Sequence, residues 1–460
     1  MSRVFVHGLI ALALTPLLLG SSECQPVVLF TQSYGGPGTQ QGTAIATSDG
    51  DYLIGGTTSA TASTSDLLFI KTDAHGNQIW SRSVDGGGFE TLRSFRQVSD
   101  GGFLALGTTQ ASSTASSDVY LVKLAADGGV LWAHSFGGSA SEDPAGFVEM
   151  PWGYAIAAST MSYGPDAVEV WLLRVGFDGQ LLKARVLTQP GGGSASGIAP
   201  TPDGGLVIVG TNGQGPSNTH GEVFHLEASG AEDWQEALAE FSAADAVVVA
   251  PDGSIVVGGS SDATGCTYYY CYDSGHIAEL DAGGRILWQQ TEQVPRSFHG
   301  DGLAKWIWDS SHTILVEDGG TIVENRAWEG MDGSGIMIYS LPEIRRYSAA
   351  GALVNDQLLP EVDVSSGYGD PFLYASALVP TGYGEFAITL FEDSPKDDGT
   401  HQPTFFKLGS DFHTETSVAI PWLTPVSVAA TSDGGFLVSG GEPDVTLVKM
   451  GPNGETAQAP

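Results

Sequence analysis

The chain has 460 residues, with 53 acidic against 18 basic side chains and a formal net charge of −35. The acidic count is ordinary for this length, so the imbalance is a shortage of bases. That shortage excludes nucleic acid as a partner and disfavours attraction to anionic lipid head groups, while 63 glycines suit an all-β fold with many tight turns.

In chain order, Arg3 precedes an apolar run over residues 4–19 and the small residues Gly20, Ser21 and Ser22. This is the three-part layout of a secretory signal peptide, and the run is shorter than the roughly 20 residues that span a bilayer. Residues 1–22 are therefore expected to be removed, and 23–460 to be exported with no membrane-spanning segment. Cys24 stands where a lipoprotein would carry its lipid, but Glu23 before it departs from the lipobox pattern. A lipid anchor through Cys24 is the secondary alternative to a secreted or periplasmic form.

One phrase then recurs at a period near fifty residues. Its centre is Asp49-Gly50, Asp100-Gly101, Asp203-Gly204, Asp252-Gly253 and Asp433-Gly434, each set between apolar runs, with a degenerate copy at Trp152-Gly153. Asp-Gly between apolar runs marks a hairpin, because Gly accepts the positive φ that the turn demands. A second element follows each turn after a loop: an apolar strand, another turn with Gly, and often a Trp four residues after that Gly. It supplies Trp80, Trp132, Trp234 and Trp288. Together the two elements give four short strands, one propeller blade.

Later copies are less regular. Residues 303–316, with a turn at 309–312, are expected to supply the first two strands of a sixth blade, and 375–390 those of a seventh, with third strands at 344–347 and 404–408. The last blade lacks an outer strand, whereas residues 27–34 form an unpaired one, so the N-terminal strand is expected to complete the C-terminal blade and close the ring. The fold expected is a single all-β propeller of about eight four-stranded blades over residues 23–460, with insertions at 262–275 and 294–340.

The Asp-x-x-Gly-x-x-x-Trp element and the eight-fold count resemble the quinoprotein-like propeller superfamily, in which such tryptophans dock blade on blade. The Asp-Gly-Gly turns, with Gly-Gly after the fourth strand, are also similar to repeats of exported bacterial propeller proteins. The resemblance implies blade docking by Trp80, Trp132, Trp234 and Trp288. Quinone chemistry is not expected, since the adjacent cysteine pair common in such dehydrogenases is missing, and no cofactor is expected.

Cys266 and Cys271 bracket three tyrosines and a threonine, and in an oxidising compartment a local disulfide is expected. No nearby Cys or His completes a metal site. Asp49-Gly50-Asp51 and Asp397-Asp398-Gly399 stop short of a calcium loop and read as turns. No His-Glu-x-x-His motif, compact histidine triplet, nucleophile elbow or phosphate loop appears. The residue three before each turn aspartate, expected to line the central channel, is Ala46, Gln97, Glu149, Pro200, Val249 and Ala430, so no ligand type repeats there. Arg93, Arg96, Glu149 and Lys305 are the charged candidates for that channel.

Departures from the repeat are where function is expected. The cysteine loop carries Tyr268, Tyr269, Tyr270 and Tyr272, and the enlarged sixth unit carries His299, Asp301, Trp306, Trp308, Asp309, His312, Trp328 and Glu329. Tyr269, Trp306 and Trp328 are expected to form one composite aromatic site for an extracytoplasmic protein or glycan. Packing between irregular blades is the structural alternative. A carbohydrate-active enzyme using Asp301 or Asp309 is the functional one.

Overall fold

The computed structural model describes residues 29–456 apart from 36–38, 62–63, 113, 166, 188–190, 214–218, 262–270, 273, 293–305, 318, 332–336, 360–371, 376–377, 382–384, 394–403, 421–422, 424 and 441–443. The signal segment, Cys24, Cys266, Tyr269, Asp301 and Lys305 lie outside them. No helix among the described residues is long and apolar enough to cross a membrane. All regular structure among them is β.

The fold is a β-propeller. Its first blade is a meander of Thr39–Ala46, Tyr52–Thr61, Thr64–Thr72 and Gln78–Val84. Equivalent units follow over 89–136, 142–187, 193–238, 243–292, 306–358, 372–419 and 425–450. The first two are linked by one parallel pairing, Ser65 with Phe89. The last unit contributes three strands, and Phe30–Tyr34 pairs antiparallel with Val445–Met450 as its fourth.

Burial explains why the sequence folds this way. Second and third strands such as Phe103–Gln110 and Asp118–Leu124 are buried on both faces, hence their continuous apolar runs. Fourth strands such as Gln78–Val84 are mostly exposed. One apolar cluster lies at each junction between neighbouring blades, including Tyr34, Tyr52, Ile54 and Leu447 between the eighth and first. First strands of the second to sixth blades adjoin one another in turn, as do those of the seventh, eighth and first.

The Asp-Gly turns are three-residue hairpin loops. At the first, the Thr47 N–H donates to Asp51 O and the Gly50 N–H to Thr47 O, with Gly50 at φ 83°. Beneath these turns sits the penultimate residue of every third strand: Lys71, Lys123, Arg174, His225, Glu279, Arg346, Lys407 and Lys449. Lys123 Nζ is 2.9 Å from Asp100 and Lys449 Nζ 2.9 Å from Asp433. Where Trp152 replaces the aspartate, Arg174 lies over its ring at 4.0 Å. Six of the eighteen bases thus serve as internal pins, which leaves few for a basic surface.

The tryptophans meet the next blade. A Cβ on Gly128, Gly179, Gly284 or Gly351 would lie 2.3–2.7 Å from the ring of Trp80, Trp132, Trp234 or Trp288 respectively, and all four glycines have φ near 80°. Phe30 stands against Gly76 in the same way from the N-terminal strand. Trp132 and Trp234 also donate Nε1–H to the carbonyls of Phe177 and Ala282.

The sixth blade departs from the sequence expectation. Trp306–Val316 is one strand, not two, and Asp309 to His312 is a register shift within it; the turn falls at Glu317–Thr321. The second and third strands are Ile322–Met331 and Met337–Tyr347, so 344–347 is only the end of the third. At 10 or 11 residues these strands exceed the 7 or 8 of the second to fourth blades' middle strands, so part of the extra length extends the sheet. In the seventh blade the expected inner strand is broken into Phe372–Ala375 and Val379–Pro380, both paired with Phe386–Asp393, and Thr404–Leu408 is the third strand.

Candidate functional site at the junction of the fifth and sixth blades

Two faces of the propeller differ in kind. One carries the Asp-Gly turns; the other carries the loops between second and third strands and the connections between blades. On the loop face Cys271–Tyr272, just before the fifth blade's third strand, pairs in parallel with Trp306 and Ile307 at the start of the sixth blade. Trp306 lies opposite Met331, and Trp328 opposite Asp309 where the register shifts. The backbone therefore brings Cys271, Tyr272, Trp306, Asp309 and Trp328 onto one blade and its inner edge. Tyr269 and Cys266 fall outside the described residues.

Below this edge lies a feature that the sequence reading missed. Glu324 and Arg326 alternate on the second strand and Glu343 and Arg345 on the third, and the register sets Glu324 opposite Arg345 and Arg326 opposite Glu343. Arg326 and Glu324 are fully buried and pair at 2.6 Å; Arg345 pairs with Glu343 at 3.0 Å. Two positive and two negative groups cancel, which makes their burial tolerable where a lone charge would not be. Arg326 reaches the fifth blade at Gly275, where a Cβ would collide with its guanidinium. The signal was available as Glu-x-Arg repeated at strand period in two successive segments.

The turn face of the same junction holds a cleft of about 720 Å³ lined by Asp252, Glu279, Leu287, Trp288, Val316 and Glu317 among others. Trp288 stacks on Tyr347 and donates Nε1–H to Glu279, the one acid among the eight pin positions. This cleft and the Trp306 edge lie at opposite ends of an 11-residue strand, about 30 Å apart along it.

The channel candidates are dispersed. Arg93 lines a cavity of about 570 Å³ with Thr43, Phe95 and Ser427. Arg96 lies 4.5 Å over the Phe147 ring, and burial lowers its pKa against the opposing pull of Glu149. Glu149 itself accepts from Ser99 of the preceding blade. Asp49 and Asp51, weighed as a calcium turn, are bridged by Lys71 at 2.6 and 3.0 Å.

No family model and no curated protein matches the chain. Among solved structures it is similar to the Dos1 propeller, with a TM-score of 0.53 and 11% identity over 92% of this chain and 96% of that one. It is also similar to the β-propeller domain of the Trilobed protease from Pyrococcus furiosus, with a TM-score of 0.41 and 12% identity over 78% and 93%. A third likeness, to puromycin hydrolase, has a TM-score of 0.42 and 13% identity over 78% of this chain but 51% of that one. At these identities the likeness shows the fold alone: the chain is a β-propeller.

Proposed function

We propose that the chain is an exported, non-enzymatic propeller that binds or scaffolds an extracytoplasmic protein or glycan through the loop face of its fifth and sixth blades. The observation that supports this most is the parallel pairing of Cys271–Tyr272 with Trp306 and Ile307, which sets two residues from each of two departures from the repeat side by side. Aromatic side chains on a rigid edge offer apolar area at small entropic cost. The buried Glu324, Arg326, Glu343 and Arg345 set fixes the strands that would carry them. A disulfide between Cys266 and Cys271 belongs to the same proposal, as the element that would stiffen the tyrosine loop.

The test is a glycan and protein-ligand screen of the secreted protein, run beside an assay for release of reducing ends. Binding without turnover, weakened at least tenfold in Trp306→Ala plus Trp328→Ala at unchanged melting temperature, is expected. Turnover abolished by Asp301→Asn or Asp309→Asn in a folded protein would replace this reading with the carbohydrate-active enzyme.

A further inference from the structure

We propose that the junction between the first and second blades is a calcium site built from Asp66, Asp85 and Glu90. One carboxylate oxygen from each of the three lies within 4.8 Å of the others, the span that oxygens around one Ca²⁺ at roughly 2.4 Å can reach. They come from three elements: the third strand of the first blade, the connection after its fourth strand, and the first strand of the second blade. Glycine at 86–88 permits the convergence. A Cβ on Gly86 would stand 2.7 Å from Glu90 Oε1, one on Gly88 would stand 2.1 Å from Gln110 O, and Gly87 has φ 101°.

Glu90 is fully buried. Its Oε1 accepts from the Thr109 hydroxyl at 2.8 Å, but its Oε2 has no hydrogen-bond partner. Ser83 donates to Asp66 and the Gly87 N–H to Asp85. No ion pair to any of the three occurs among the described residues, although turn aspartates elsewhere in the chain hold a lysine. An ionised carboxylate with an orphan oxygen, buried beside two more, is strongly unfavourable unless a cation or a proton intervenes.

Neighbouring junctions show how the same position is otherwise satisfied. Gln40, Glu90 and Glu142 occupy equivalent places, each opposite a threonine of the second strand: Thr58, Thr109 and Thr160. At the first blade the residue is a neutral amide. At the third, both Glu142 oxygens are used, by the Thr160 hydroxyl and the Gly138 N–H, and Glu142 shares a hydrogen bond with Asp118, whose pKa is raised. The second blade alone adds a third carboxylate, Asp85, and leaves Glu90 Oε2 unmatched. Asp85 is exposed and Asp66 partly so, which gives a hydrated ion a way in and leaves room for water to complete six to eight oxygens.

The experiment is calcium titration of the full chain by calorimetry, with melting followed in EDTA, Ca²⁺ and Mg²⁺. The wild type is expected to bind one Ca²⁺ with a dissociation constant on the order of 10⁻⁴–10⁻³ M and to melt roughly 2–4 °C higher at saturation. Glu90→Gln copies the amide that the first blade already uses. It should fold, melt in EDTA at or above the wild type, and lose the calcium response; Asp85→Asn should weaken binding at least tenfold. Asp118→Asn at the next junction should keep it. No saturable heat and no shift in the wild type up to about 10 mM Ca²⁺ would overturn the proposal. So would an undiminished response in Glu90→Gln, loss of it in Asp118→Asn, or an equal response to Mg²⁺.

Discussion

The Glu149 carboxylate of the third blade accepts a hydrogen bond from the Ser99 N–H of the second at 2.9 Å and another from its hydroxyl. One blade earlier, Gln97 Oε1 accepts from the Ser48 N–H at 2.7 Å. At these two junctions the residue three before the turn aspartate answers the turn of the preceding blade, which accounts for Gln97 and Glu149 at that position. Where that turn has serine, the next blade offers Gln97 or Glu149. Where it has Pro151, Pro202 or Pro251, with no N–H to give, the next blade has Pro200, Val249 or Val316. Ser432, followed by Ala46, is the exception.

Glu149→Val should therefore destabilise by about 1 kcal/mol by leaving the Ser99 N–H unmatched. Ser99→Pro in the Glu149→Val background should recover most of that, since three other blades use this pairing and proline suits the second residue of the turn. Urea melts of the four proteins of the cycle measure the coupling. Additive losses would show that the two residues do not act as a pair.

Blade docking makes a separate claim at Trp132 and Gly179. A methyl on Gly179 would fall 2.6 Å from the Trp132 ring, and the glycine's φ of 80° disfavours any side chain. Gly179→Ala is expected to cost more than about 1 kcal/mol, and Trp132→Ala about 2–3 kcal/mol, because the ring is only partly buried. The double variant should cost less than the sum, since removing the ring removes its part of the clash and leaves the φ penalty and the contact with His134 at 2.8 Å. Thermal or urea melts would show it, and a sum that is fully additive would place the tryptophan elsewhere.

Much of this was legible in the sequence. The turn Asp-Gly pairs and the four tryptophans fall at fixed positions of the strand meander, because a left-handed turn residue and a large flat ring leave strong sequence marks. The sixth blade was not, for two reasons. Glu324, Arg326, Glu343 and Arg345 interrupt the apolar runs by which buried strands are recognised, and the polar Asp309–His312 stretch resembles a turn although it is a shift within one strand. The Asp66, Asp85 and Glu90 cluster was invisible because it spans a blade boundary, so no single segment carries its spacing.

Opposite pH responses are expected from two aspartates of the second blade. For Asp100, burial works upward, but the hydrogen bonds from Lys123 and the Gly102 N–H and the lysine's charge outweigh it, and the pKa is lowered. A depressed folded-state pKa gives stability that is present above the unfolded value near 4 and is lost as pH falls through the folded value. For Asp118, burial and then Glu142 raise the pKa, so its contribution is present below about pH 4 and is lost as pH rises through the folded value. Asp118→Asn should raise stability at pH 7 relative to wild type while leaving the acid limb in place. Asp100→Asn should lower stability at pH 7 and flatten the acid limb. Denaturation midpoints between pH 2.5 and 8 test both, and a lower midpoint for Asp118→Asn at pH 7 would contradict the raised pKa.

The chain ends carry the last prediction. Phe30–Tyr34 gives the Val445–Met450 strand its outer partner, with Phe30 opposite Lys449 and Tyr34 opposite Val445. The Tyr34 hydroxyl then crosses to the first blade and donates to Gly76 O at 2.6 Å, while Phe30 packs against Tyr52 and the Gly76 turn. One five-residue strand thus touches both the last blade and the first. If the ring closes through it, deletion of residues 27–34 leaves the outer edge of Val445–Met450 unpaired and uncovers apolar surface at Tyr52, Ile70 and Leu447. The truncated protein should aggregate or unfold in two steps, the eighth blade before the rest, whereas Tyr34→Phe should lose only about 1 kcal/mol. Adding the deleted segment as a peptide should restore part of the loss, because the edge it left is a template for that strand. Size-exclusion chromatography and melting curves decide the matter: a monodisperse truncation that melts in one step at the parent temperature would mean that the ring is held by the blade-to-blade clusters without its terminal strand.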